Sequence, residues 1–198
     1  MIRKIIVSCA ILISTVCCVA QQSAAYADSL TKFIHQYVEN HDVIKNDDKQ
    51  YFRFFPPDEA FLVNATFKKT KDARWFQMES SGPVKKTFRV YGVAAFSIHD
   101  TVLTLTVYQS QNLMTDPQYR GYLFLPFTDL TTGNETYHTG RYLDFDVKDI
   151  KNDHLVIDFN KAYNPSCAYV DFKYNCPVPP RENNLPVSVR VGEMNFGK

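Results

Sequence analysis

The sequence predicts a mainly β fold, an antiparallel barrel or sandwich with one N-terminal helix packed on it. Three observations predict it. Short apolar or alternating segments recur from Tyr51 to Val191, each bounded by turn formers. The chain holds 15 Phe and 12 Tyr against 7 Gly, and such aromatics suit pleated surfaces. A helical period occurs near the start, where Leu30, Phe33, Ile34, Tyr37 and Val38 form one apolar stripe. At 198 residues and 45% hydrophobic content, the chain can fill the core of one domain.

Residues 1–27 read as an export signal. Arg3 and Lys4 precede an apolar run from Ile5 to Ala20, and Ala25-Tyr26-Ala27 supplies a small-residue cleavage site before Asp28. The run is short for a membrane span. An uncleaved anchor is one alternative. Lipid attachment at Cys17 or Cys18 is another, although Ser14-Thr15-Val16 lacks the Leu and the small residue usual before a lipid-attached cysteine. A lipid would change location, not fold. The expected location is therefore periplasmic or extracellular, with 28–198 as a single β-rich domain. The formal charge of +1 falls to −1 once Arg3 and Lys4 leave with the signal. Neither value supports capture of nucleic acid, which needs clustered Lys and Arg.

The helix is expected over 28–44, started by Asp28 or Ser29. His35, Glu39 and His41 lie off its stripe, at solvated positions. Asn46 to Lys49 then form a polar loop. Phe61 to Phe67 alternates, with Phe61, Val63, Ala65 and Phe67 on one face. Lys68 to Arg74 is a basic turn, and Trp75 to Glu79 a short strand. Val84 to Ile98 is long enough for one bent strand or two, with Gly92 as a bulge or close-packing point. His99-Asp100 makes a turn before Thr101 to Tyr108, which alternates throughout. Ser110 to Gly121 is loop. Tyr122 to Phe127 is a strand buried on both sides, with Pro126 limiting its ladder. Arg141 to Val147 and His154 to Phe159 read as a hairpin, and Leu185 to Val191 as the last strand.

No G-x-S-x-G, H-E-x-x-H, P-loop or dinucleotide glycine motif is present, so neither a catalytic mechanism nor a cofactor is indicated. Cys9, Cys17 and Cys18 leave with the signal, and Cys167 and Cys176 remain. An even pair in an exported chain reads most simply as a disulfide. A metal site or a reactive thiol is the rival reading, but C-x8-C is not a zinc-finger spacing and no His lies near it in sequence, so no metal site is assigned.

Turn formers, aromatics and ionisable residues concentrate between Asp129 and Glu193. Arg141 lies on the core face of its strand, at the mouth of the core. It is either tied to a carboxylate, Glu182 or Glu135, or available to an anion that matches its fork. Asp158 and Asn160 point outward, either tying down the turn from Ala162 to Pro165 or acting in a site. Cys176-Pro177-Val178-Pro179-Pro180 forms a stiff arm that delivers Arg181, Glu182 and Asn183 to a defined place. The candidate ligand-binding residues are accordingly Arg141, Tyr142, Asp158, Asn160, Tyr163, Glu182 and Asn183. A lone His138, beside Glu135 and Tyr137, is a weaker candidate.

TDLTTGNETYHTGRYLD, DFNKAYNPSCAY and CPVPPRENNLPVSVRVGE, in that order and spacing, resemble the signature of a bacterial and archaeal domain of unknown function. The resemblance runs from about Phe52 to Gly192 and implies no activity, substrate or catalytic residue. His138 stands where that family usually has Gly, which argues against a role for it.

Three functions fit these observations. The first is an exported module binding a small polar or anionic ligand near Arg141. The second is a hydrolase using Asp144, Asp158, Glu135 or Glu182 as acid and base. The third is a structural protein of the cell envelope.

Overall fold

The computed structural model describes residues 24–197. Cys9, Cys17, Cys18 and most of the expected export signal lie outside the described residues. The chain divides between Asn40 and His41 into two compact units.

The first unit carries helix α1, residues 24–39. Thr31 bonds back to the Ala27 carbonyl at 2.9 Å, and the Asn40 N–H closes the last turn on the Gln36 carbonyl at 2.9 Å. The helix therefore runs through Asp28 and Ser29 instead of starting there, and it stops short of residue 44. Its end coincides with a local competitor for the backbone. His41 Nδ1 accepts the Ile44 N–H at 3.0 Å, and the chain turns there. His41 is not a solvated helix position. Its ring packs edge-on to Phe52 and Tyr169, with centroids 4.8 and 4.7 Å away.

The second unit is a seven-stranded antiparallel sheet curved into a half-barrel, ordered β6-β5-β4-β3-β1-β7 with β2 also on β3. The strands are β1 (Leu62–Lys69), β2 (Phe76–Met78), β3 (Lys86–Ile98), β4 (Thr101–Ser110), β5 (Tyr122–Phe127), β6 (Arg141–Asp146) and β7 (His154–Asp158). A short helix α2 (Gln111–Thr115) interrupts the expected loop. Among the described residues no helix is long and apolar enough to cross a membrane.

The turn between β3 and β4 has both His99 and Asp100 at positive φ, 45° and 64°, the geometry whose twist matches a tight hairpin. Further back along β3 the register with β4 shifts between Val90 and Gly92. Tyr91 is thus an extra residue, and the bulge exchanges the two faces of the strand. Beyond it Ala94, Phe96 and Ile98 join the main core, whereas Phe88 before it packs on the opposite face. Glycine is required at 92, because a Cβ there would collide with the Phe67 ring.

Two expected elements differ. β6 and β7 do not pair as a hairpin. They are the two edges of the sheet, β6 against β5 and β7 against β1. Alternation specifies which face a residue takes, but it carries no information about the neighbouring strand. Residues 185–191 form no ladder strand; the segment bends at Pro186 and Val187 and bonds Thr128 and Leu130 through two backbone hydrogen bonds beside an isolated bridge of Thr128 with Asn184. Leu185, Val189 and Val191 still enter the main core, so its apolar pattern reflects burial more than strand pairing.

Candidate functional site

Arg141 opens β6 on the core-facing side, as alternation predicts, but it lies far inside, at 1% exposure. Its guanidinium pairs with Asp129 at 2.7 Å, not with Glu182 or Glu135. It also donates to the carbonyls of Val189 at 2.7 Å, Val191 at 2.5 Å and Glu193 at 3.2 Å. One fork thus satisfies three carbonyls of a segment that turns at Gly192, where φ is 76°. Burial lowers the Arg141 pKa, opposed by the adjacent Asp129 and Glu193. Asp129 is held in turn by the Thr131 N–H at 2.6 Å and hydroxyl at 2.5 Å. An external anion has no access to this arginine, and it leaves the set of ligand candidates.

Asn183 is likewise structural. β4 and β5 share one register pair, Tyr108 with Phe124. Beyond it Asn183 lies between the strands: its side chain accepts the Thr106 N–H at 2.8 Å and donates to the Thr106 and Pro126 carbonyls at 2.8 and 2.6 Å. The amide supplies the ladder bonds that the splayed strands lack. Delivery depends on the stiff arm, which starts at the Cys167–Cys176 disulfide. The arm then pairs with residues 79–81 through Val178 N–H to the Glu79 carbonyl and Ser81 N–H to the Cys176 carbonyl.

Asp158 alternates with the core residues Leu155 and Ile157, and both it and Asn160 are buried. Asp158 caps the turn Phe159–Lys161 by accepting the Asn160 N–H at 3.2 Å. Asn160 bonds the backbone of Asp58 in both directions, at 2.8 and 2.9 Å. They tie down backbone, but part of it lies across the fold and not in the adjacent turn. Glu135 pairs with Arg190 at 2.9 Å, and His138 is exposed against the Tyr137 ring.

Three of the named residues do lie on one face. Tyr142 and Tyr163 exchange backbone hydrogen bonds at 2.9 and 3.1 Å, and Glu182 accepts the Tyr108 hydroxyl at 2.8 Å. This is the sheet face opposite the main core, where Tyr108, Phe124 and Tyr142 pack with Met78 and Phe88. At its edge stands Asp144, from β6. One carboxylate oxygen accepts the Tyr122 hydroxyl at 2.6 Å, and the other accepts the Tyr163 hydroxyl at 2.7 Å. The Tyr142 hydroxyl donates to the Pro177 carbonyl, which fixes the neighbouring ring.

Asp144 is exposed to solvent, yet crowded enough by its surroundings that its pKa is raised by desolvation against the opposing effect of both hydroxyls. Tyr122 and Tyr163 are both pushed well above the ordinary phenol value, by burial first and by the Asp144 charge next. Their protons stay on, and they point at the carboxylate. Among the described residues no three His, Cys, Asp or Glu side chains converge as metal ligands would.

Tyr122 is the residue that motif reading misses. Its signal is the alternation of YLFLPF and RYLDFD, which sends Tyr122, Phe124, Tyr142 and Asp144 away from the main core. The register adds the rest. Phe124 stands opposite Asp144, which puts Tyr122 on the diagonal, within reach of a long side chain.

Residues 50–194 match the model of a family described as "Protein of unknown function (DUF1684)". The chain belongs to that family. All the residues of the Asp144 site lie within the matched DUF1684 span. No curated protein matches the chain. Among solved structures it is similar to the solution NMR structure of an uncharacterized protein of Haloarcula marismortui, at 27% identity and a TM-score of 0.62. That likeness covers 88% of this chain and 93% of the other.

Proposed function

We propose that this DUF1684 protein is an exported module that binds a small polar ligand on the sheet face formed by Asp144, Tyr122, Tyr142 and Tyr163. One observation carries the reading: a solvent-reachable carboxylate is oriented by two tyrosine hydroxyls, at 2.6 and 2.7 Å, beside an aromatic floor. Isotope-labelled protein titrated with small polar metabolites tests it. Amide shifts should concentrate at Tyr122, Phe124, Tyr142, Asp144 and Tyr163, and Asp144→Asn should abolish them. Shifts confined to other surfaces would end the proposal.

Export rests on the basic, apolar and small-residue order of residues 1–27. It is supported by the Cys167–Cys176 bond, a linkage that persists in oxidising compartments. Fractionation of a bacterial host expressing the full chain, with mass spectrometry of the product, tests it. The expected product begins at Asp28 outside the cytoplasm. A mass increased by lipid at Cys17 or Cys18 would replace this with the anchored alternative, and an uncut cytoplasmic product would refute export.

The hydrolase reading keeps one pair of carboxylates. Glu182 shares the sheet face of Asp144, whereas Asp158 is committed to its cap and Glu135 to Arg190. Turnover of model glycosides or esters that is lost in both Asp144→Asn and Glu182→Gln would support it.

A further inference from the structure

The hydrogen-bond bookkeeping of the Asp144 site restricts its ligand. Both carboxylate oxygens already accept a phenolic proton. The Tyr122 and Tyr163 protons are committed inward, and the Tyr142 proton goes to the Pro177 carbonyl. What Asp144 and Tyr122 still turn toward solvent is acceptor capacity. A ligand that matches them must donate.

Charge sharpens the point. Among the described residues, Glu79, Asp129, Asp158 and Glu135 have a cation beside them, in Lys85, Arg141, Lys161 and Arg190, whereas the hydrogen-bond partners of Asp144 are tyrosine hydroxyls. The groups that act on its carboxyl are the two tyrosines and its own desolvation. A partly desolvated carboxylate without a counter-charge is unfavourable, and a cation arriving beside it offsets that cost.

Behind the carboxylate the rings pack on one another: Phe124 meets Tyr142 edge-on with centroids 4.7 Å apart, and Tyr142 meets Tyr163 at 5.8 Å with planes 88° apart. A divalent metal fits poorly, since one carboxylate and phenols that keep their protons supply too few anionic oxygens for it. An anion would meet only acceptors.

We infer that the Asp144 site takes a small organic cation, an ammonium or guanidinium, held by the Asp144 carboxylate that the Tyr122 and Tyr163 hydroxyls orient. The inference rests on the proposal that this face is a ligand site. The test is a titration of the purified, isotope-labelled protein with ethanolamine, arginine, glucose, acetate and calcium chloride, one at a time. Ethanolamine or arginine should shift Tyr122, Tyr142, Asp144 and Tyr163. The affinity should weaken by about tenfold or more in Asp144→Asn, while Glu135→Gln leaves it unchanged. The wild-type protein gives the same result without substitution if cation binding is lost as Asp144 protonates at low pH. Binding of glucose, acetate or calcium at these residues with no response to either cation would overturn the inference and leave the ligand-site proposal standing. Absence of shifts at these residues with all five probes and with the wider metabolite set would overturn both.

Discussion

Arg141 and Asp144 sit three residues apart on one strand and do opposite things. Arg141 turns to the main core, where Asp129 and three carbonyls use its donors. Asp144 turns to the other face and remains open to solvent. Removing Arg141 leaves Asp129 as a buried charge without its partner. Arg141→Met should therefore destabilise the fold by about 3–5 kcal/mol in urea denaturation, and adding Asp129→Leu should recover much of that. Asn183→Ala leaves backbone groups of β4 and β5 unsatisfied, at about 1–3 kcal/mol for each buried group. Residue type alone showed that an arginine at the core mouth needs a partner. It could not show which, because Asp129 reaches Arg141 only through the turn that Thr131 organises.

Strand faces were readable from alternation, since the period of two follows from the pleat. Strand neighbours were not. The sequence of β6 and β7 suits a hairpin, but β6 ends in a cap that turns the chain away. Asp146 accepts the Lys148 N–H at 2.9 Å, and Asp149 accepts the Asp146 N–H at 2.7 Å. The segment 185–191 reads as a strand because its residues are apolar; its first half bonds the backbone of Thr128 and Leu130, and the carbonyls of Val189 and Val191 are taken by a side chain, Arg141. The arm from Cys176 to Asn183 was legible, because each proline restricts it. Its purpose, to supply amide bonds between splayed strands, depends on contacts far apart in sequence. Opening the Cys167–Cys176 bond by a double Cys→Ala substitution should cost about 2–3 kcal/mol, read as a shift in the denaturation midpoint. The tyrosine cradle should persist, because Tyr142 and Tyr163 remain tied through backbone.

Across the whole molecule, two groups give stability opposite slopes with pH. His41 has its pKa lowered from 6.5 to about 4, chiefly by burial, with Asp42 opposing. Its folded form is neutral, so its contribution is present above the unfolded pKa and is lost as pH falls through the folded value. Denaturation followed between pH 7 and 4 should show that fall, and His41→Phe should flatten it. Asp144 has its pKa raised, so its contribution is present below the unfolded carboxylate pKa and is lost as pH rises through the folded value. At neutral pH its charge is a cost to the fold, as expected of a side chain kept for binding and not for packing. The measurement that tests this most directly pairs urea denaturation of Asp144→Asn at neutral pH with the titration of the same variant by polar probes. Stability equal to or above that of the wild-type protein, with the shifts at Tyr122, Tyr142 and Tyr163 gone, is the result predicted. A loss of stability as large as that of Arg141→Met, with probe responses unchanged, would make Asp144 a structural residue and contradict the account.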